Sequence, residues 1–157
     1  HGFTPEKLAV LSNGKTFSCD IDEIYDDFSS ADLIVAHNVK FDINFMIAEF
    51  CYQDRRFRYK QEFDTMKFFT NIMKLPRENH AGYKYPKLSE LIGFLDIYPY
   101  DVTRKTVELF SVLDVGGHDA RYDTAALYLA FNEGAKRIGD LAEIKEKYLR
   151  SVAGDDE

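Results

Sequence analysis

The stretch Leu33-Ile34-Val35-Ala36-His37-Asn38-Val39-Lys40-Phe41-Asp42 decides the fold. Its apolar run, Leu33 to Ala36, is short and partly β-branched, which predicts a buried strand. The polar pair His37-Asn38 then interrupts it. From Phe41 to Tyr52 apolar residues lie on nearly every helical face, which predicts a buried helix. Strand, polar junction and helix together open an α/β layer arrangement.

Upstream, Thr4-Pro5-Glu6 reads as a helix start, with a Thr cap, Pro at the first helical position and an acid in the first turn. Asn13-Gly14 is a turn, and Asp20 is positioned to cap a second helix that Ser29-Ser30 ends. Downstream, Phe57 to Phe63 reads as a strand leading into a helix over Thr65 to Met73. Pro76 to Pro86 is a loop, and Leu88, Leu91, Ile92 and Leu95 form a helical stripe. Val107 to Val115 is apolar and fits either element, and Gly116-Gly117 breaks it. Helices are expected over Ala120 to Glu133 and Leu141 to Leu149, with the C-terminal helix and an acidic tail filling 136–157. Only one or two strands are convincing, fewer than a sheet needs.

The 157 residues suit one domain, and 45% apolar with 15% aromatic content excludes wholesale disorder. No apolar run approaches the roughly 18 to 20 residues of a membrane span. Cys19 and Cys51 make neither a disulfide framework nor a zinc spacing, so a reducing, cytoplasmic setting is expected. The net charge of −7 hides an asymmetry: Arg55 to Lys87 holds nine Lys/Arg against three acids. Such a stretch is either a footprint for a polyanion or a solvated loop.

Two acids are candidates for chemistry. Asp42 and Asp123 each open a helix that reads as core, where an unpaired carboxylate is expensive and normally has a partner or a metal. The plainer account is that each sits at a helix N-terminus, where the dipole favours an anion by about 0.3 to 1 kcal/mol. His118 precedes Asp123 by five residues on a Gly-Gly-flanked loop. Its ring is placed to swing over the cavity that Asp123 faces, an arrangement suited to activating water.

Ala36-His37-Asn38-Val39-Lys40-Phe41-Asp42 resembles the second motif of the DEDD 3′→5′ exonucleases, and Gly117-His118-Asp119-Ala120-Arg121-Tyr122-Asp123 their third motif in its histidine subclass. The tyrosine subclass would have Tyr where Asp119 stands. The opening His1-Gly2-Phe3-Thr4-Pro5-Glu6 is similar to the segment before the second motif in proofreading (epsilon) subunits of bacterial DNA polymerase III, and Phe63-Asp64-Thr65 to a strand-to-helix junction of the family. The resemblance covers about residues 1–135.

It implies a single exonuclease domain over 1–157, with an RNase H-like α/β fold of three layers, a mixed sheet flanked by helices. It implies a two-metal site for Mg²⁺ or Mn²⁺, with Asp42 and Asp123 as ligands and His118 as general base. His37, Asn38 and Phe41 would lie at the terminal nucleotide, although core packing accounts for Phe41 about as well. The implied substrate is a single-stranded DNA 3′ end, in proofreading or repair, with a polymerase subunit as a possible partner. An RNA exonuclease of the oligoribonuclease kind fits the same motifs, as does a degenerate domain that binds nucleic acid or protein without catalysis. The family's first motif, Asp-x-Glu on the first strand, is absent: it is expected ahead of His1, and Asp20-Ile21-Asp22-Glu23 falls in the wrong place to replace it. The chain is therefore expected to lack its N-terminal strands, to hold an incomplete metal site and to be nearly inactive alone.

Overall fold

A computed structural model describes residues 4–78, 81–112 and 119–152, the side chains of Leu8 and of residues 149–152 excepted. The described chain is a mixed α/β structure, mostly helical, with a small two-stranded parallel sheet. In order it forms α1 (Pro5–Leu11), a 3-10 turn (Phe17–Cys19), α2 (Ile21–Ser30), β1 (Ile34–Ala36), α3 (Val39–Tyr52), β2 (Glu62–Asp64) and α4 (Thr65–Met73). Then follow α5 (Leu88–Phe94), α6 (Pro99–Phe110), α7 (Ala120–Arg137) and α8 (Gly139–Val152). Two parallel strands need a crossover between them, and α3 supplies it. Two compact units emerge, one of 1–35 with 39–63, the other of 36–38 with 64–157.

The first unit is built on aromatic contacts. Phe50 is fully buried, with Phe17 edge-on at 5.5 Å, Tyr25 at 6.0 Å and Phe57 at 5.2 Å. Phe28 packs on Phe57 at 5.2 Å, and the Arg55 guanidinium lies 5.4 Å from the Tyr25 ring while pairing with Asp22. Asp20 stands at the cap position of α2, but its side chain makes no cap bond there and pairs with Lys15 at 3.1 Å. The expected burial of α3 is only partly met. Val39, Ile43 and Phe50 are buried on one narrow stripe, whereas Phe41, Phe45, Ile47 and Tyr52 are exposed. An apolar pattern without a polar face does not say which face has a neighbour, and α3 has one on a single side.

The second unit is a helical core. Phe69, Leu91, Leu95, Val102, Ala125, Ala126, Ala130 and Leu141 are buried, with Leu88, Ile92, Ile97 and Leu129 packed against the Val102–Ala126 cluster. Small residues on α7 let its neighbours approach closely. At Gly134 an added Cβ would stand 2.9 Å from both Leu141 Cδ2 and Phe69 Cζ. Helix α6 begins eight residues before the ambiguous Val107–Val115 run and takes in its first part, through Phe110. The rest of that run, from residue 113, lies outside the described residues, as do Gly116-Gly117 and the acidic tail. Among the described residues no helix is long and apolar enough to cross a membrane.

Candidate functional site

The His37-Asn38 junction is held from below by the Asp64-Thr65 junction. Both stand at the carboxyl ends of the parallel strands, β1 and β2, and both belong to the second unit. Asn38 takes a positive φ of 76°, a conformation Asn tolerates better than most residues. Its N–H donates to Asp64 Oδ1 at 3.1 Å. The same oxygen caps α4 by accepting from the Met66 and Lys67 N–H groups at 3.0 and 3.3 Å. Asp64 Oδ2 is buried without a hydrogen-bond partner among the described residues, with Lys67 Nζ 4.0 Å away.

His37 is half-buried and hydrogen-bonded at both nitrogens. Nδ1 meets Thr65 Oγ1 at 3.0 Å, and Nε2 meets the Pro86 carbonyl at 2.9 Å. Thr65 is fully buried and lies 3.2 Å from the Ala36 carbonyl as well. Burial pushes the imidazole pKa below its ordinary value, against the opposing pull of the Pro86 carbonyl and the Asp64 charge.

Asp123 lies in the first turn of α7, half-buried, its N–H donating to the Asp119 carbonyl at 3.0 Å. It lines a cleft of about 750 Å³ together with Lys87, Ser89, Asp96, Tyr98 and Tyr122. Asp119 caps α7 by accepting from the Arg121 N–H at 2.9 Å, and its carboxylate meets Arg121 Nε at 2.9 Å and the terminal guanidinium nitrogen at 2.7 Å. Arg121 holds the Asp119 carboxyl at a pKa of about 2.

Of the residues singled out in the sequence, His37, Asn38 and Asp123 belong to the second unit, and Phe41 and Asp42 to the first. Asp42 is exposed, so the burial penalty that drew attention to it does not operate there. Phe41 is 69% exposed, which removes core packing as its explanation. His118 lies outside the described residues. Among the described residues no three His, Cys, Asp or Glu side chains come together in a group able to hold a metal ion, so no chemical step is assigned to a metal. The supporting roles of Asp64, Thr65, Pro86 and Asp119 were missed. An Asp directly before a helical run is a capping signal that marks both Asp64 and Asp119, but nothing local announces that the Asp64 cap also anchors a junction 26 residues away. Comparison with protein-family models, with curated proteins and with solved structures found no match.

Proposed function

We propose that the chain is the larger part of an RNase H-like 3′→5′ exonuclease domain of the DEDD type, histidine subclass, acting on single-stranded DNA ends. The observation that carries this reading is the way the second unit ties its two motif regions. Pro86, whose carbonyl receives the His37 Nε2 proton, is followed directly by Lys87 and Leu88, which line the Asp123 cleft. Placement of His37 and Asn38 at the carboxyl ends of parallel strands supports it further, since open α/β sheets bind ligands there.

In this reading His118 would take the proton of the attacking water, Asp123 would help hold a Mg²⁺ or Mn²⁺ ion, and His37 and Asn38 would meet the terminal nucleotide; the roles of Asp42 and Phe41, in the first unit, rest on the resemblance alone. Divalent cations would supply charge neutralisation at the scissile phosphate. The described residues do not by themselves form a metal-holding group. That same fact favours a second reading, a domain that binds nucleic acid or a partner protein without cleaving.

End-labelled oligonucleotides separate the two, used with a chain that carries an Asp-x-Glu strand ahead of His1. Stepwise shortening from the 3′ end, abolished by Asp123→Asn and cut about 10² to 10⁴-fold by His118→Ala with binding retained, is expected. Cleavage that survives Asp123→Asn overturns the assignment. Intact substrate with undiminished binding establishes the second reading, and matched RNA strands in the same assay decide the substrate.

A further inference from the structure

We propose that the second unit carries a binding groove for a segment of single-stranded nucleic acid, between α4 and residues 75–78 and 81–85. This rests on the nucleic-acid reading above and adds where the strand's backbone and bases are gripped.

The groove encloses about 790 Å³ and is lined by Lys67, Thr70 and Asn71 on one side and by Arg77 and residues 82–85 on the other. That volume is within the roughly 300–1,000 Å³ of ligand pockets. Lys67, Thr70 and Asn71 are three and four residues apart, so α4 presents them as neighbours on one face. The opposite wall is braced rather than loose. The Lys84 N–H donates to the Leu75 carbonyl at 3.0 Å, Pro76 and Tyr83 form an antiparallel bridge, and Gly82 turns the chain at a φ of +94°.

The lining has three cations and no carboxylate, on a chain whose net charge is −7. The cations differ in how far they are already neutralised. Lys84 pairs with Glu90, and among the described residues Lys67 has only the Asp64 carboxylate, at 4.0 Å. Arg77 makes no ion pair among the described residues. In the first unit, by contrast, Arg55 and Lys60 are paired with Asp22 and Asp32. Arg56, Arg58, Lys74 and Lys87 likewise make no ion pair among the described residues, so the groove gathers part of the stretch's available charge and sets it beside aromatic rings.

Two tyrosines complete it. Tyr85 is 61% exposed and Tyr83 43%, large aromatic surfaces left to solvent beside the cations. Cations that follow phosphates and aromatic rings that stack on bases are the combination that binds single strands with little sequence preference. A bare phosphate site needs no exposed rings, and an acidic peptide gains nothing from stacking.

The test is fluorescence anisotropy of a labelled oligothymidylate with the full chain in EDTA, over a series of salt concentrations, where no cleavage is needed. Arg77→Gln and Lys67→Gln are each expected to flatten the slope of log K against log salt by roughly 0.7. Tyr85→Leu is expected to weaken binding about tenfold on the intact strand and hardly at all on an abasic one. All three side chains are exposed, so unchanged circular dichroism melts should accompany these losses. Arg104→Gln, an exposed cation on α6, should leave binding as it was. Wild-type binding that the groove variants do not alter overturns the groove and leaves the exonuclease reading standing. Losses that are equal on inorganic polyphosphate or polyglutamate, with Tyr85→Leu silent, overturn a nucleic-acid ligand. A wild-type chain that binds no oligothymidylate overturns the proposal, whereas the exonuclease reading falls only in the cleavage assay.

Discussion

A carbonyl oxygen only accepts, so the 2.9 Å contact between His37 Nε2 and Pro86 puts the ring proton on Nε2. Nδ1 is then open to accept from Thr65 Oγ1 at 3.0 Å. Thr65 has one proton, shared between that nitrogen and the Ala36 carbonyl at 3.2 Å. Protonating the ring would let Nδ1 donate to Thr65 and free the threonine proton for Ala36, but burial disfavours the charged ring and dominates. The folded pKa is therefore depressed, and the unfolded chain binds the proton more readily. Stability from this residue is complete above the unfolded value of about 6.5 and is lost as pH falls from there toward the folded pKa. Titrating the His37 Cε1–H resonance should give a pKa below the ordinary histidine value. His37→Gln should flatten the decline of the melting temperature just below pH ~6.5, ahead of the carboxylate range. A His37 resonance that titrates at or above the ordinary value removes the burial argument.

At the scale of the element, two helical glycines make opposite predictions from one residue type. Gly93 in α5 is exposed, and an added Cβ meets nothing within 4 Å. Gly93→Ala should stabilise by about 0.5–1 kcal/mol through helix propensity alone. Gly134 in α7 is buried, and the same Cβ would stand 2.9 Å from Leu141 and Phe69, both fully buried and without room to retreat. Gly134→Val should destabilise by about 3 kcal/mol, since overpacking exceeds any gain in helix propensity. Urea unfolding of both variants checks the pair, and a stabilised Gly134→Val would show that α7, α4 and α8 do not pack as described. Elements of this kind differ in how legible they are. The start of α4 is visible because Asp64 is a capping residue, whereas its end at Lys74, in a left-handed turn, lacks the Gly or Asn that announces such a stop. Helix α6 is harder to see. Its Tyr98-Pro99 entry and Asp101 at the third position are start signals, but only Val102 and Thr106 are buried, so little apolar stripe announces it. Helix α3 shows the opposite failure: apolar on all sides, it leaves Phe41, Phe45 and Tyr52 exposed at spacings of four and seven.

For the whole molecule, the question is whether the parts present amount to a working site. Short motifs single out His37, Asn38 and Asp123 as candidates, because a motif is read from residue type and local spacing. The clamp that holds His37 and Asn38 was not legible, because it joins Asn38 to Asp64 and His37 to Pro86, 26 and 49 residues apart. No periodicity records such a separation. The same distinction limits activity. A metal-dependent phosphodiester hydrolysis needs several carboxylates converging on its cations. Among the described residues no group of three candidate ligands converges, and no Asp-x-Glu pair stands ahead of Asp42 in the sequence, where the resemblance requires it. The 157-residue chain should therefore show no Mg²⁺- or Mn²⁺-dependent shortening of single-stranded DNA above the rate of its own Asp123→Asn variant. Oligothymidylate binding in EDTA should persist, because the groove of Lys67, Arg77 and Tyr85 uses none of the candidate metal ligands. Robust turnover by this chain, sensitive to Asp123→Asn, would mean that its own carboxylates complete the site and that the missing pair is dispensable.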